Sequence, residues 1–162
     1  MKKLFVKQAD TLKVMTYAND IRPITSPVPL SEALEGVQEV DWSLCPDAEL
    51  PVSGVSVSSI DIDDHWVFVA IPGLVQHGIR FLHAAVEAGA SAVVTDREGS
   101  KRAREMNPDI PIVVVADPRR ASATIAANID RHPASALKTA AVTGTNGKTT
   151  TTYLLRSILR ST

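Results

Sequence analysis

The chain has 162 residues, of which 44% are hydrophobic and 22% charged, ordinary values for a globular protein. They exclude a disordered chain and a fibrous repeat. Only 4% of residues are aromatic and the net charge is -1, which argues against a nucleic-acid binder with its dense basic patch and stacking rings.

No apolar run approaches the ~18 residues needed to span a membrane. Lys2 and Lys3 precede only a short apolar stretch, Leu4 to Val6, too short for a signal-peptide core. A cytoplasmic protein is therefore expected. The single cysteine, Cys45, allows no intrachain disulfide and no cysteine-based zinc cluster, and reads as a packed thiol. Charge is unevenly spread. No Lys or Arg occurs from Pro23 to Ile79, a stretch holding nine acids, so the rest of the chain is basic.

The first fifty residues are rich in proline, including Pro23, Pro27 and Pro29. Ser31, Leu34 and Glu35 suggest a short helix over residues 31–36, ended by Gly36, within otherwise irregular structure. Val55 and Val57 read as a strand. Trp66 to Ile71 is a short apolar run stopped by Pro72-Gly73, the mark of a buried strand and a turn. Phe81, Leu82, Ala85 and Val86 follow helical spacing, with Gly89 as a C-terminal cap. Ala92 to Val94 is a strand, Arg97 to Met106 a charged, exposed helix, and Ile112 to Val115 another strand. Asp117-Pro118 supplies an N-cap and a first-turn proline for a helix through Ile125 and Ile129, closed by Pro133. This alternation predicts an α/β domain with a mainly parallel sheet.

His132 to Ser135 marks a boundary. A strand is expected over Leu137 to Val142. Then comes Thr-Gly-Thr-Asn-Gly-Lys-Thr-Thr-Thr-Thr at 143–152. Tyr153, Leu154, Leu155, Ile158 and Leu159 form an apolar helix face after it. Strand, glycine loop, Lys-Thr and helix is the layout of a P-loop. Gly144 and Gly147 permit a tight turn that aims backbone N–H groups at phosphate oxygens. The helix N-terminus favours an anion, Lys148 can neutralise β- and γ-phosphate charge, and the Thr149 hydroxyl can bind Mg²⁺. Val142 stands where the strict eight-residue pattern has its first glycine, so the loop is the shorter form G-x-x-G-K-T-T.

The run GTNGKTTTT after an apolar strand resembles the ATP loop of the Mur ligases, which make the amide bonds of the peptidoglycan stem peptide. Folylpolyglutamate and cyanophycin synthetases share related loops. Val-Ser-Ser-Ile at 57–60, VFVAIPG at 67–73, His77-Gly78 and AGASAVV at 88–94 are similar to the first, uridine-nucleotide-binding domain of the Mur family. Order and spacing look most like the member that adds the third residue. The family pattern is departed from at four places. Ser58 and Ile60 replace the Asp and Arg of D-S-R, His65-Trp66 replaces Gly-Asp, and His77 replaces Asp. Without that arginine, the diphosphate would rest on backbone N–H groups and the Ser59 hydroxyl.

The resemblance implies an ATP- and Mg²⁺-dependent amide ligase. Its substrates would be UDP-N-acetylmuramoyl-L-alanyl-D-glutamate and a diamino acid, L-lysine or meso-diaminopimelate. Gly144, Thr145, Asn146, Gly147, Lys148, Thr149 and Thr150 would hold ATP, with Lys148 catalytic and Thr149 the metal ligand. Val57, Ser59, Leu74, Val75 and Gln76 would lie against the uridine nucleotide. Residues 1–51 would be a lead-in, 52–135 the substrate domain, and 136–162 the opening of an ATP-binding domain. On that division the polypeptide by itself is expected to lack ligase activity. Two alternatives stay open: a non-catalytic UDP-sugar-binding module, and another P-loop ligase, either the fourth Mur ligase or a folylpolyglutamate type.

Overall fold

A computed structural model describes residues 26–161, together with two strands before them, β1 (Leu4–Gln8) and β2 (Thr11–Met15). The Lys2-Lys3 pair and Pro23 lie outside the described residues. The chain divides into two compact units, Met1–Arg131 and His132–Thr162.

In the first unit, β1 and β2 pair antiparallel, Leu4 opposite Met15. Composition alone read this region as irregular, but both segments are runs of β-forming residues short enough to be missed. Next come β3 (Val28–Pro29), α1 (Leu30–Ala33) and β4 (Pro51–Val52). β3 and β4 pair antiparallel. The expected helix over 31–36 is shorter and earlier. Its C-terminal carbonyls are met from far along the chain: Asn128 Nδ2 donates to the carbonyls of Ala33 at 3.0 Å and Glu35 at 2.9 Å.

The centre is a four-stranded parallel sheet: β5 (Gly54–Ser56), β6 (Trp66–Ala70), β7 (Ala90–Thr95) and β8 (Ile112–Val114). The strands lie side by side in chain order. Helices α2 (Leu82–Glu87), α3 (Arg97–Met106) and α4 (Pro118–Ile129) complete the unit. The sheet is buried on both faces, which is why its strands read as unbroken apolar runs. On one face Val67, Val69, Ala92, Val94 and Val113 meet Ala121, Ile125 and Ile129 of α4, together with Val28, Leu30 and Leu34. On the other, Phe68, Ala70, Val93 and Ile112 meet Ile62, Leu82, Ala85 and Ala103. The three crossovers linking the strands thus all lie on the second face.

The helix signals act as read. Asp117 accepts the Arg120 N–H at 3.1 Å, with Pro118 in the first turn. Asp96 does the same for α3, accepting the Gly99 N–H at 2.7 Å. Although charged, α3 is not wholly exposed: Gly99, Ser100 and Ala103 form a narrow buried face. Phe81 belongs to a 3-10 turn, Gly78–Phe81, before α2 and is partly exposed, with the Arg80 guanidinium 5.3 Å from its ring centre. The open edge of β8 is met by the lead-in. Asp41 and Val114 exchange backbone hydrogen bonds of 2.8 and 3.1 Å.

The second unit holds a 3-10 turn at Pro133–Ala136, the glycine loop, and α5 (Lys148–Arg160). Leu137 to Val142 is not a strand, contrary to its sequence pattern. Apolar β-forming residues make a strand only when a neighbour takes up their N–H and C=O groups, and no described strand pairs with this stretch. Leu154, Ile158 and Leu159 of α5 are exposed. Among the described residues, no helix is long and apolar enough to cross a membrane.

Candidate functional site

Parallel α/β sheets offer ligands the loops beyond the carboxyl ends of their strands. Five of the expected site residues fall there. Val57 and Ser59 follow β5, with Ser59 opening a 3-10 turn, Ser59–Asp61. Leu74, Val75 and Gln76 follow β6. Because β5 and β6 are paired neighbours, Ser56 opposite Phe68, their following loops emerge at the same end of the sheet. Val57 is 54% exposed, while Leu74 and Val75 are essentially fully exposed. Ser59 is half-buried.

The loop carrying Leu74, Val75 and Gln76 is closed at its base. Pro72 and His77 form an antiparallel bridge, and the Gly78 N–H donates to the Ile71 carbonyl at 2.9 Å. Gln76 Oε1 accepts a hydrogen bond from the Arg80 guanidinium. Two exposed apolar side chains at the tip of a fixed loop can cover a flat ring, and the amide beside them can orient it.

Sequence analysis marked His77 only as a departure from the family pattern and passed over Thr95, Asp96 and Gly99. These four meet. The buried Thr95 hydroxyl donates to the Ala70 carbonyl at 3.0 Å, tying the ends of β6 and β7. His77 Nδ1 accepts the Ile79 N–H at 3.0 Å, while Nε2 lies 3.1 Å from Asp96 Oδ1. The His77 side chain is only 7% exposed. Gly99 lies beneath the ring: a Cβ there would fall 2.7 Å from His77 Cε1 and 2.1 Å from Thr95 Oγ1. The only sequence signal was Thr95-Asp96 at a strand end, and nothing marked its partner.

A cleft of about 500 Å³ opens beside β8, lined by Glu39, Asp41, Arg97, Glu98, Val114 and Ala116. The Ser43 N–H, donated to Asp41 at 2.9 Å, holds that carboxyl below its usual range, helped by the Ser43 hydroxyl and the Arg97 charge. Among the described residues, no three His, Cys, Asp or Glu side chains gather as a metal site.

The glycine loop belongs to the second unit. Gly144 has φ 147° and Gly147 φ 79°, backbone that L side chains rarely adopt, so both glycines are required by the turn itself. Gly147 precedes the first turn of α5, and the Thr151 N–H closes onto its carbonyl at 2.9 Å. The first N–H groups of α5 have no acceptor within the helix. Lys148 arches back, its ammonium donating to the carbonyls of Gly144 and, at 3.4 Å, Thr145. Asn146, Thr149 and Thr150 are exposed. The loop thus presents a cation, free amides and hydroxyls on one short stretch, the donor set that a phosphate chain and a hard cation require.

Comparison with known proteins adds the following. A family model described as "Mur ligase family, catalytic domain" matches residues 51–130, from β4 to α4. The UDP-N-acetylmuramoyl-L-alanyl-D-glutamate--2,6-diaminopimelate ligase of Streptomyces coelicolor is 36% identical over 148 residues, 91% of this chain and 28% of that protein. With 148 of 162 residues aligned, that match reaches the glycine loop. The UDP-N-acetylmuramyl-tripeptide synthetase 2 of Oceanobacillus iheyensis is 36% identical over 108 residues, 67% of this chain and 21% of that one. Among solved structures, the UDP-N-acetylmuramoylalanyl-D-glutamyl-2,6-diaminopimelate--D-alanyl-D-alanyl ligase of Acinetobacter baumannii has a TM-score of 0.58 at 25% identity, covering 85% of this chain and 29% of that one. The chain spans about a quarter of the length of the curated relatives it matches.

Proposed function

Because this chain belongs to the Mur ligase family, we propose that it carries the substrate-nucleotide site and the ATP loop of a ligase of peptidoglycan precursors. The full reaction would join a diamino acid to UDP-N-acetylmuramoyl-L-alanyl-D-glutamate. Relatives of 34–37% identity named as diaminopimelate-adding ligases or as a tripeptide synthetase favour the diamino acid over the dipeptide. The relatives' names favour 2,6-diaminopimelate over lysine.

Val57, Ser59, Leu74, Val75 and Gln76 would receive the uridine nucleotide. The observation that carries this is their placement: two loops leave adjacent parallel strands at the same end of the sheet, one tipped with exposed apolar side chains. Gly144 to Thr150 would receive ATP through backbone N–H groups. Lys148 would then leave the Gly144 and Thr145 carbonyls for the phosphates.

The chemistry answers a simple difficulty, that a carboxylate is a poor acyl donor. Its oxygen attacks the γ-phosphorus and the bond to the bridging oxygen of ADP breaks, leaving an acyl phosphate. The amine nitrogen then attacks the acyl carbon, phosphate departs and the nitrogen loses a proton. Lys148 would hold the negative charge spread over the phosphoryl oxygens, an interaction that strengthens in the transition state. A Mg²⁺ ion, with Thr149 as its protein ligand, would supply further neutralisation of that charge.

Calorimetric titration of the chain tests this reading. UDP-N-acetylmuramoyl-L-alanyl-D-glutamate is expected to bind, and Leu74→Ser to weaken it. ATP with Mg²⁺ is expected to bind separately, and Lys148→Ala to weaken that alone. Failure of both ligands to bind the wild-type chain would defeat the proposal.

A further inference from the structure

The loop that presents Leu74, Val75 and Gln76 is anchored by a side chain from its own base. His77 faces both ways. Its Nδ1 accepts the Ile79 N–H at 3.0 Å, capping the 3-10 turn that follows. An imidazole nitrogen that accepts carries no proton, so in the neutral ring the proton is on Nε2. Nε2 therefore donates to Asp96 Oδ1, 3.1 Å away. The same oxygen accepts the Gly99 N–H at 2.7 Å and so is itself fixed by the start of α3. The ring rests on Gly99, where no Cβ can stand. Thr95, one residue before Asp96, is bonded to Ala70 at the end of β6. The loop base is thus fastened to the end of β7 and to α3, elements that the sheet core holds rigid.

We propose that His77 is a positioning residue for the nucleotide site: its Nε2–H···Asp96 bond holds the Leu74–Val75–Gln76 loop in the conformation offered to the uridine nucleotide. The inference rests on the reading of that loop as the nucleotide contact. It also accounts for the departure from the family pattern at this position. A carboxylate at 77 could cap the turn but could not donate to Asp96. Histidine does both.

The two functions of the ring can be separated by substitution. His77→Asn keeps an acceptor where Nδ1 stands and loses the donor that reaches Asp96. His77→Gln keeps a donor of the right reach. Asp96→Asn keeps an oxygen that can accept from both His77 and Gly99.

The experiment measures two quantities on the whole chain. One is the affinity for UDP-N-acetylmuramoyl-L-alanyl-D-glutamate by calorimetry. The other is the backbone order of residues 74–76 by ¹⁵N relaxation in the free protein, with thermal midpoints as a control on folding. His77→Asn is expected to lower the order of the loop and weaken binding about tenfold, at a midpoint near wild type. His77→Gln and Asp96→Asn are expected to recover most of both. Unchanged loop order in His77→Asn overturns the proposal, whether or not the ligand binds. So does lowered order with unchanged affinity. If wild type binds no UDP ligand, the nucleotide reading fails by itself, and loop order still decides whether His77 holds the loop. If His77→Asn does not fold, Asp96→Ala makes the same comparison from the other side of the bond.

Discussion

The indole of Trp66 lies directly over Gly54, its cross-strand partner, so closely that a Cβ on Gly54 would sit 2.2 Å from Cε2. The smallest residue of β5 and the largest of β6 therefore fill one space between them. Gly54→Ala is expected to push the indole aside and cost about 1–3 kcal/mol, the usual penalty of overpacking. Chemical denaturation with tryptophan fluorescence reads both effects, as a lower midpoint and a shifted emission. An unchanged midpoint would mean that the ring moves freely.

His65, just before this tryptophan, has φ 64°. Its backbone is held on both sides: its carbonyl accepts the Ser53 N–H at 2.9 Å, and its N–H donates to the Gly89 carbonyl at 3.2 Å. The family pattern has glycine here, the residue to which that conformation costs least. His65→Gly is expected to raise stability by up to about 1 kcal/mol, the relief of left-handed strain less the added freedom of the unfolded chain. A thermal scan against wild type measures it, and a fall in midpoint would show that the imidazole itself contributes.

Asn128 donates to three carbonyls at the end of α1, those of Glu32, Ala33 and Glu35. Its removal leaves them without that donor. Asn128→Ala is expected to cost about 0.5–1.5 kcal/mol, since water can reach part of these carbonyls. Amide exchange over residues 33–37 should rise more than exchange within α4, since α1 is only four residues long and has little stability of its own.

Thr95→Val preserves shape and removes one hydroxyl. The Ala70 carbonyl would lose its partner at a buried site, at an expected cost of about 1–3 kcal/mol. Urea unfolding gives the figure. A cost near zero would indicate that water reaches the carbonyl.

Cys45 is buried, and burial pushes its thiol up, only partly offset by its hydrogen bond toward the Asp47 carbonyl at 3.4 Å. A raised value means less thiolate at any pH below it, and thiolate is the nucleophile. Native Cys45 is therefore expected to react with iodoacetamide at pH 8 about tenfold or more slowly than the urea-unfolded chain. Equal rates would contradict both the burial and the shift.

Much of the central sheet was legible in the sequence, and for one reason. Its strands are buried on both faces, so Val67 to Ala70 and Ala92 to Val94 stand out as apolar runs. The signal for α4, Asp117-Pro118, is local and acts locally. The lead-in beyond β2 was illegible because its elements are two to four residues long and are completed from elsewhere: α1 by Asn128, the Asp41 segment by Val114. Leu137 to Val142 failed in the opposite sense, having strand residues but no described neighbour to pair with. Residues 57, 59 and 74–76 were chosen by resemblance, and all five lie in the connections after β5 and β6. The His77–Asp96 contact could not, because the two are 19 residues apart and meet only after a complete crossover.

The order of the sheet has a last consequence. The connections after β5 and β6 both pass over the same face, so no crevice of the switch-point kind opens between these two loops. Anything bound beyond β5 and β6 must be gripped by the loop tips themselves. Leu74 and Val75 touch almost none of the core that keeps the domain folded. On the function proposed above, recognition on this rim would be separable from stability, because residues 74–76 can be exchanged at little cost to the fold.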